Sequence, residues 1–285
     1  MKVTKIKTMK LQRSLYLIIG LITTSIFVKA QSTYITAYCG YGLNIASASR
    51  GSDITAVSST SSTNEEVHGS YGKGLNFGLA LAYMFSKNIG TEVGFQYLVG
   101  SPIQISYTDN INTPSSLQTD KFRVNMLRII PSAIIAVGEG KYIPYAKVGI
   151  AIGVLGKAIN TNTGQNGHNT SENVWEYTGG TGIGFASSLG IRMGKGRISL
   201  FGEIAMIGQS WAPTKKIQIT STQNGVDQLP NMTTYQKETN YVESYTYTNP
   251  NTSLVDPNSP QQSSKIYIPM SSWGGNIGLR INFIK

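Results

Sequence analysis

From Leu75 to Val99 the chain alternates apolar residues with small or polar ones. Leu75, Phe77, Leu79, Leu81, Tyr83 and Phe85 are separated by Asn76, Gly78, Ala80 and Ala82. After the turn Ser86-Lys87-Asn88, Ile89, Thr91, Val93, Phe95, Tyr97 and Val99 are separated by Gly90, Glu92, Gly94 and Gln96. Successive side chains of a strand point to opposite faces of a sheet, so a period of two predicts a β-hairpin. The apolar face runs about ten residues per strand, the length a tilted strand needs to cross a bilayer core. The other face suits a crowded polar interior.

The same rhythm recurs in six further segments. Ile35, Ala37, Cys39, Tyr41, Leu43 and Ile45 form one face of the first strand, with Thr36, Tyr38, Gly40, Gly42 and Asn44 opposite. Strands are likewise predicted near 122–137, 144–154, 183–193, 198–209 and 273–283. Pro131 removes a ladder donor from the fourth, which predicts a bulge or kink there. In the seventh, Phe201 and Gly202 exchange the expected sizes. The turns Ser86-Lys87-Asn88, Gly138-Glu139-Gly140 and Gly194-Lys195-Gly196 are short. The intervening segments 47–73, 100–120, 157–178 and 210–265 are rich in Ser, Thr, Asn and Gly and read as loops. An even strand count with alternating long and short connections predicts an all-β fold: an eight-stranded antiparallel up-and-down transmembrane β-barrel with short periplasmic turns and long extracellular loops. Both chain ends then fall on the periplasmic side.

The start of the chain adds an address. Lys2, Lys5, Lys7, Lys10 and Arg13 precede the apolar run Leu15 to Val28, which ends at Ala30 before Gln31. This order predicts a cleaved signal peptide over residues 1–30 and a single barrel domain over 31–285. Of the 24 basic side chains, six lie in residues 1–30 with no acid among them, leaving 18 against 14 acids, or about +4. That balance gives no support for a nucleic-acid partner. The one cysteine, Cys39, excludes an intrachain disulfide and a cysteine-based metal site. Tyr38 stands before it where a lipidated cysteine needs a small residue, so Cys39 reads as an outward apolar position.

Six charged side chains fall on the inward parity: Glu92, Arg128, Lys147, Arg192, Glu203 and Arg280. Eight strands enclose a space just wide enough to be filled by side chains. Counting across the short turns sets Glu92 near Ala82, Lys147 near Ser132 and Glu203 near Ser188. The expectation is a structural lumen plug of ion pairs, since buried charges need partners; the alternative is a narrow conduction or proton path. No catalytic constellation emerges. His68 and His168 sit in different polar segments without a nucleophile or carboxylate at a motif spacing, and Gly179-Gly180-Thr181-Gly182-Ile183-Gly184 lacks the strand-then-helix setting of a phosphate loop. A non-enzymatic protein without metal or cofactor is expected. Tyr235, Tyr241, Tyr245 and Tyr247 offer contact area for an extracellular partner, or belong to loops that are merely hydrophilic.

The alternating strands and the terminal run Gly278-Leu279-Arg280-Ile281-Asn282-Phe283 resemble small outer-membrane β-barrels of the OmpX and OmpA-transmembrane-domain kind. Tyr142-Ile143-Pro144-Tyr145-Ala146-Lys147-Val148-Gly149 and Ser199-Leu200-Phe201-Gly202-Glu203 are similar to strands of the outer-membrane β-barrel domain proteins common in Bacteroidetes. Such barrels often end on an aromatic residue; here Ile284 and Lys285 follow Phe283. The resemblance implies a monomer in the outer membrane of a Gram-negative cell, in contact with outer-membrane lipid, with a structural or surface-interaction role through its loops. The alternatives are a small pore or channel, a secreted lipocalin-like ligand-binding barrel, and a membrane-embedded lipid-modifying enzyme. A lipocalin-like barrel is greasy inside and polar outside, the reverse of the faces here.

Overall fold

A computed structural model describes residues 32–45, 49–58, 60–109, 111, 115–246 and 256–283. The expected signal peptide, Tyr247, Ile284 and Lys285 lie outside the described residues. Along the chain the strands are β1 (Ser32–Asn44), β2 (Ser49–Ser58), β3 (Ser61–His68), β4 (Gly74–Met84), β5 (Ile89–Gly100), β6 (Ile103–Asp109), β7 (Ser116–Ala136), β8 (Tyr142–Asn166) and β9 (Asn169–Thr178). They continue with β10 (Gly182–Met193), β11 (Ile198–Trp211), β12 (Lys215–Gln223), β13 (Val226–Asp227), β14 (Glu238–Val242), β15 (Gln261–Ser264), β16 (Ile268–Pro269) and β17 (Ser272–Asn282). A one-turn helix, α1 (Thr234–Lys237), is closed by a capping box between Thr233 and Gln236.

The eight strands predicted from the alternation pair in sequence order. β1 pairs with β4, then β4 with β5, β5 with β7, β7 with β8, β8 with β10, β10 with β11 and β11 with β17, each antiparallel. β17 then pairs back onto β1, from Tyr34↔Asn282 to Asn44↔Ser272. The pairing thus returns to its start, leaving these eight without an unpaired edge over the shared stretch. The three short turns gather at one end together with both ends of the described chain. Gly194 donates to the Lys141 carbonyl (2.8 Å), Asn282 to Arg197 (2.8 Å) and Phe283 to Thr33 (2.9 Å).

Beyond the opposite end the architecture departs from a plain eight-strand antiparallel barrel. The whole is one mixed sheet of 17 strands. β7 and β8 run on for 21 and 25 residues, far past their apolar alternation. β6 and β9 pair onto these extensions, β12 onto β9, β14 onto β12, and β3 onto β2. Two of the pairings, β2 with β6 and β14 with β15, are parallel. The segments expected as loops are therefore largely strand. Their side chains are mostly polar, and apolar runs such as Ile103, Ile105 and Tyr107 in β6 or Ile217 and Ile219 in β12 are too short to mark a strand, yet backbone pairing carries on from the strands beneath.

Register explains two further differences. β7 and β8 shift between Leu127 and Arg128: Leu127 faces Leu155 and Arg128 faces Gly153, leaving Val154 as the extra residue. The bulge therefore lies on β8 rather than at Pro131, which keeps its place opposite Val93 of β5. Lys147 faces Ile134, not Ser132, and Glu203 faces Gly190 in the ladder although the Ser188 hydroxyl still reaches it at 3.2 Å, whereas Glu92 faces Ala82 as expected. Each slip is two residues, so every side chain stays on its expected face.

Burial is inverted relative to a water-soluble protein. Leu189 and Ile204 are 69% and 66% exposed, while Arg128 is 0% and Glu92 6% exposed. Inward glycines make room for large neighbours: a Cβ on Gly78 would stand 2.1 Å from the Tyr38 ring, and one on Gly190 2.5 Å from Tyr145. Among the described residues no helix is long and apolar enough to cross a membrane.

Candidate functional site

The inward side chains form three levels. In the middle of the ring, β5, β8 and β11 bring Glu92, Lys147 and Glu203 together. The Lys147 ammonium donates to Glu92 Oε1 at 2.9 Å and lies 3.2 Å from Glu203 Oε2. Glu203 also accepts from the Tyr145 hydroxyl (2.9 Å), the Ser188 hydroxyl (3.2 Å) and Asn276 Nδ2 (3.0 Å). The Tyr145 and Phe201 rings stand 5.3 and 5.7 Å from the ammonium, close enough for cation–π attraction. The exchange of sizes at Phe201 and Gly202 thus turns the ring inward, onto Lys147. One lysine shared by two carboxylates leaves the triad one negative charge in excess when all three are ionised. The adjoining cavity of about 50 Å³ has room for only a water or two.

Arg128 occupies the next level, apart from every carboxylate. Its Nε donates to Gln209 Oε1 (2.9 Å), Nη1 to Gln96 Oε1 (3.1 Å) and Nη2 to the Met270 carbonyl (3.3 Å). Gln209 in turn donates to the carbonyls of Ala151 (3.3 Å) and Gly182 (3.1 Å), which fixes its oxygen toward the guanidinium. This is a buried cation held by neutral acceptors alone, an arrangement that depends on filling its donors.

The third level is apolar. Leu98, Val124, Met126, Ala158, Trp211, Ile268 and Met270 form one buried cluster beneath the extended sheet. Trp211 is fully buried, donates Nε1–H to the Gly179 carbonyl (3.0 Å), and fits because Gly156 has no Cβ, which would stand 2.5 Å from its ring. Gly179 and Gly180 reach this position with φ of 75° and 68°, in the left-handed region glycine permits. Their glycine run crosses from β9 to strand β10, not to a helix.

Arg192 and Arg280 lie at the short-turn end, on the wall of a cavity of about 570 Å³. The Arg280 guanidinium sits 3.3 Å over the Tyr34 ring and donates Nε–H to Asn282 (2.9 Å). Of the six inward charges, then, three meet in one cluster, Arg128 forms a separate level, and two line the mouth. Gln96 and Gln209 shared the inward parity, but nothing marked them as partners of Arg128. Trp211 lay in the polar segment 210–265, and Met270 in the short run Ile266-Tyr267-Ile268-Pro269-Met270 before the last predicted strand.

Outside the ring, His68 sits 3.5 Å from Glu66 at the end of β3, and His168 stands in the turn between β8 and β9. Among the described residues no group of three or more His, Cys, Asp or Glu is placed to hold a metal ion. Tyr241 stacks on Tyr177, with centroids 6.4 Å apart and planes 9° apart, and Lys216 lies over Trp175 (5.0 Å) and Tyr177 (5.8 Å). Burial pushes the Tyr177 phenol up, and neighbouring Tyr241 and Asp120 push it further; burial also raises Tyr71 and Tyr241 and lowers Lys216. Tyr235 lies in α1.

Comparison with protein-family models finds no match, and comparison with curated proteins finds no significant relative.

Proposed function

We propose that this chain is a non-enzymatic outer-membrane protein: an eight-stranded transmembrane β-barrel that carries a rigid extracellular sheet for contact with a surface partner. The inverted burial carries this reading. All eight ring strands carry large apolar side chains outward, and Leu43, Phe77, Leu79, Phe95, Ile135, Ile150, Ile183, Leu189, Leu200, Ile204, Ile277 and Leu279 among them are exposed. Monomeric soluble proteins rarely expose contiguous apolar patches beyond about 300–600 Å², and a band around a whole ring exceeds that. In hydrocarbon the same band is the favourable surface, and a closed ring leaves no backbone group unpaired in lipid.

The interior argues for a role other than conduction. Trp211, Met126 and Met270 pack into one buried cluster at one end, next to the level where Arg128 donates to Gln96 and Gln209, which narrows any path through the ring. The pore reading predicts steady large conductance in planar bilayers; the plugged barrel predicts little or none. At the margin of the sheet beyond the membrane, β3 pairs with β2, β13 with β12 and β15 with β14, each an edge strand among the described residues. Such edges, with the stacked tyrosines beside them, are the features a partner would meet.

Gel mobility with and without boiling, on protein from a purified outer-membrane fraction, tests the reading. Faster migration before boiling is expected of a detergent-resistant barrel. Absence from that fraction, with no change of mobility, overturns it.

A further inference from the structure

At the short-turn end of the ring, cations outnumber anions. The cavity of about 570 Å³ adjoins a second of about 510 Å³, and Ser32, Arg192, Lys195 and Arg280 line both; Arg197 joins them in the second. Two carboxylates face the larger cavity: Glu92, whose Oε1 meets Lys147 at 2.9 Å while its Oε2 has no hydrogen-bond partner among the described residues, and Glu139, held by Lys87 at 2.7 Å on the exposed rim. Among the described residues, Arg192, Lys195, Arg197 and Arg280 make no ion pair. Arg192 Nε is shielded from solvent without a hydrogen-bond partner. Arg280 spends Nε on Asn282 and one flat face on Tyr34, leaving its terminal amines free among the described residues.

Four like charges gathered around one space repel unless an anion joins them. Guanidinium forks match oxygens arranged in pairs, and bonds between two charged partners are about twice as strong as neutral ones. A volume of about 570 Å³ falls within the size range of small-molecule sites, and the deeper wall, with Tyr34, Ile134 and Phe201, is apolar enough to cover a ligand's body.

We propose that this basin binds a phosphate-type oxyanion, held between Arg192 and Arg280 with Lys195 and Arg197 at its entrance. The chemistry fits a free phosphate ester or the headgroup of a membrane lipid reaching the rim. The proposal rests on the membrane reading only for which of these sources can reach the mouth.

The full chain, folded in a phosphate-free maltoside detergent, is titrated calorimetrically with inorganic phosphate at constant ionic strength, with chloride as the balancing anion. A second arm uses dihexanoylphosphatidylglycerol. Saturable binding is expected, at least tenfold weaker in the Arg192→Gln, Arg280→Gln double variant and unchanged by Lys121→Gln at the far end of β7. Binding of phosphate, with or without the lipid, supports a free ester as the source; binding of the lipid alone supports the headgroup. If the double variant fails to fold, Lys195→Gln with Arg197→Gln, on an exposed turn, is expected to weaken binding about threefold. Binding no stronger than that of chloride in both arms, or equal binding by the variants, overturns the proposal. Gel mobility of the same samples reports separately on the barrel, so loss of the membrane reading and loss of the anion site remain distinguishable.

Discussion

Removing the shared cation of the lumen triad is the sharpest structural perturbation available. Lys147 contacts Glu92 and Glu203 at 2.9 and 3.2 Å, with all three side chains at most 13% exposed. At an effective dielectric near 20, each contact is worth roughly 5 kcal/mol of attraction. Desolvation of the three ions offsets most of that, so the net worth of the cluster is small. The asymmetry appears on truncation: Lys147→Met forfeits both attractions but leaves two carboxylates buried near each other. Breaking a buried pair in this way costs about 3–5 kcal/mol. With a urea slope of about 2–3 kcal/mol/M, the unfolding midpoint is expected to fall by roughly 1–2.5 M. Tryptophan fluorescence in urea, with the protein in phospholipid vesicles, reads that shift. Adding Glu92→Gln and Glu203→Gln to Lys147→Met removes the stranded charges and is expected to restore at least half of the loss. A single variant within about 0.5 kcal/mol of wild type, or a triple variant no better than the single, refutes the shared-cation reasoning.

Three other outcomes follow from the same levels. Arg128→Leu strands the oxygens of Gln96 and Gln209, at about 1–3 kcal/mol for each buried group left unsatisfied; a urea midpoint unchanged from wild type would contradict the neutral-acceptor level. Gly156→Val drives a side chain into the space of the Trp211 ring, and its tryptophan fluorescence is expected to shift red and become quenchable by acrylamide; an unchanged spectrum would show that the cap is elsewhere. Tyr177 has its phenol raised by burial and by its neighbours, so its neutral form is favoured in the fold. Its contribution is fully present below the unfolded value near 10 and is lost as pH rises through the raised folded value. The absorbance difference at 295 nm between wild type and Tyr177→Phe is therefore expected to appear later than the main tyrosine wave, and a difference centred at or below pH 10 would contradict this.

The ring strands were legible because each presents one apolar face and one small or polar face: Leu75 to Phe85 and Ile89 to Val99 keep strict alternation, and both became paired strands with apolar residues outward. The strands beyond the eight-strand ring were not legible. Asn162 to Gln165 and Thr170 to Asn173 pair along β8 and β9 with no apolar side chain on either face, so nothing in the hydrophobic pattern separates them from loop. The Lys147 and Glu203 registers slipped by two because turn length was counted from glycines, whereas Val137 N–H to the Pro144 carbonyl closes one turn and Met193↔Leu200 ends the ladder at the other. The inward parity of all six charges was readable; their division into a triad, an isolated guanidinium and a mouth depends on how far along its strand each sits, which a period of two does not specify.

Cys39 provides the most direct measurement of the membrane claim. It is the only cysteine in the chain, exposed on the outward face of β1 between Phe77 and Ile277. A nitroxide attached there, with the protein in phospholipid bilayers, is expected to collide freely with oxygen and scarcely with a water-soluble nickel chelate, placing the side chain in hydrocarbon. A label that relaxes strongly with the nickel chelate and weakly with oxygen would put Cys39 in water and contradict the transmembrane barrel.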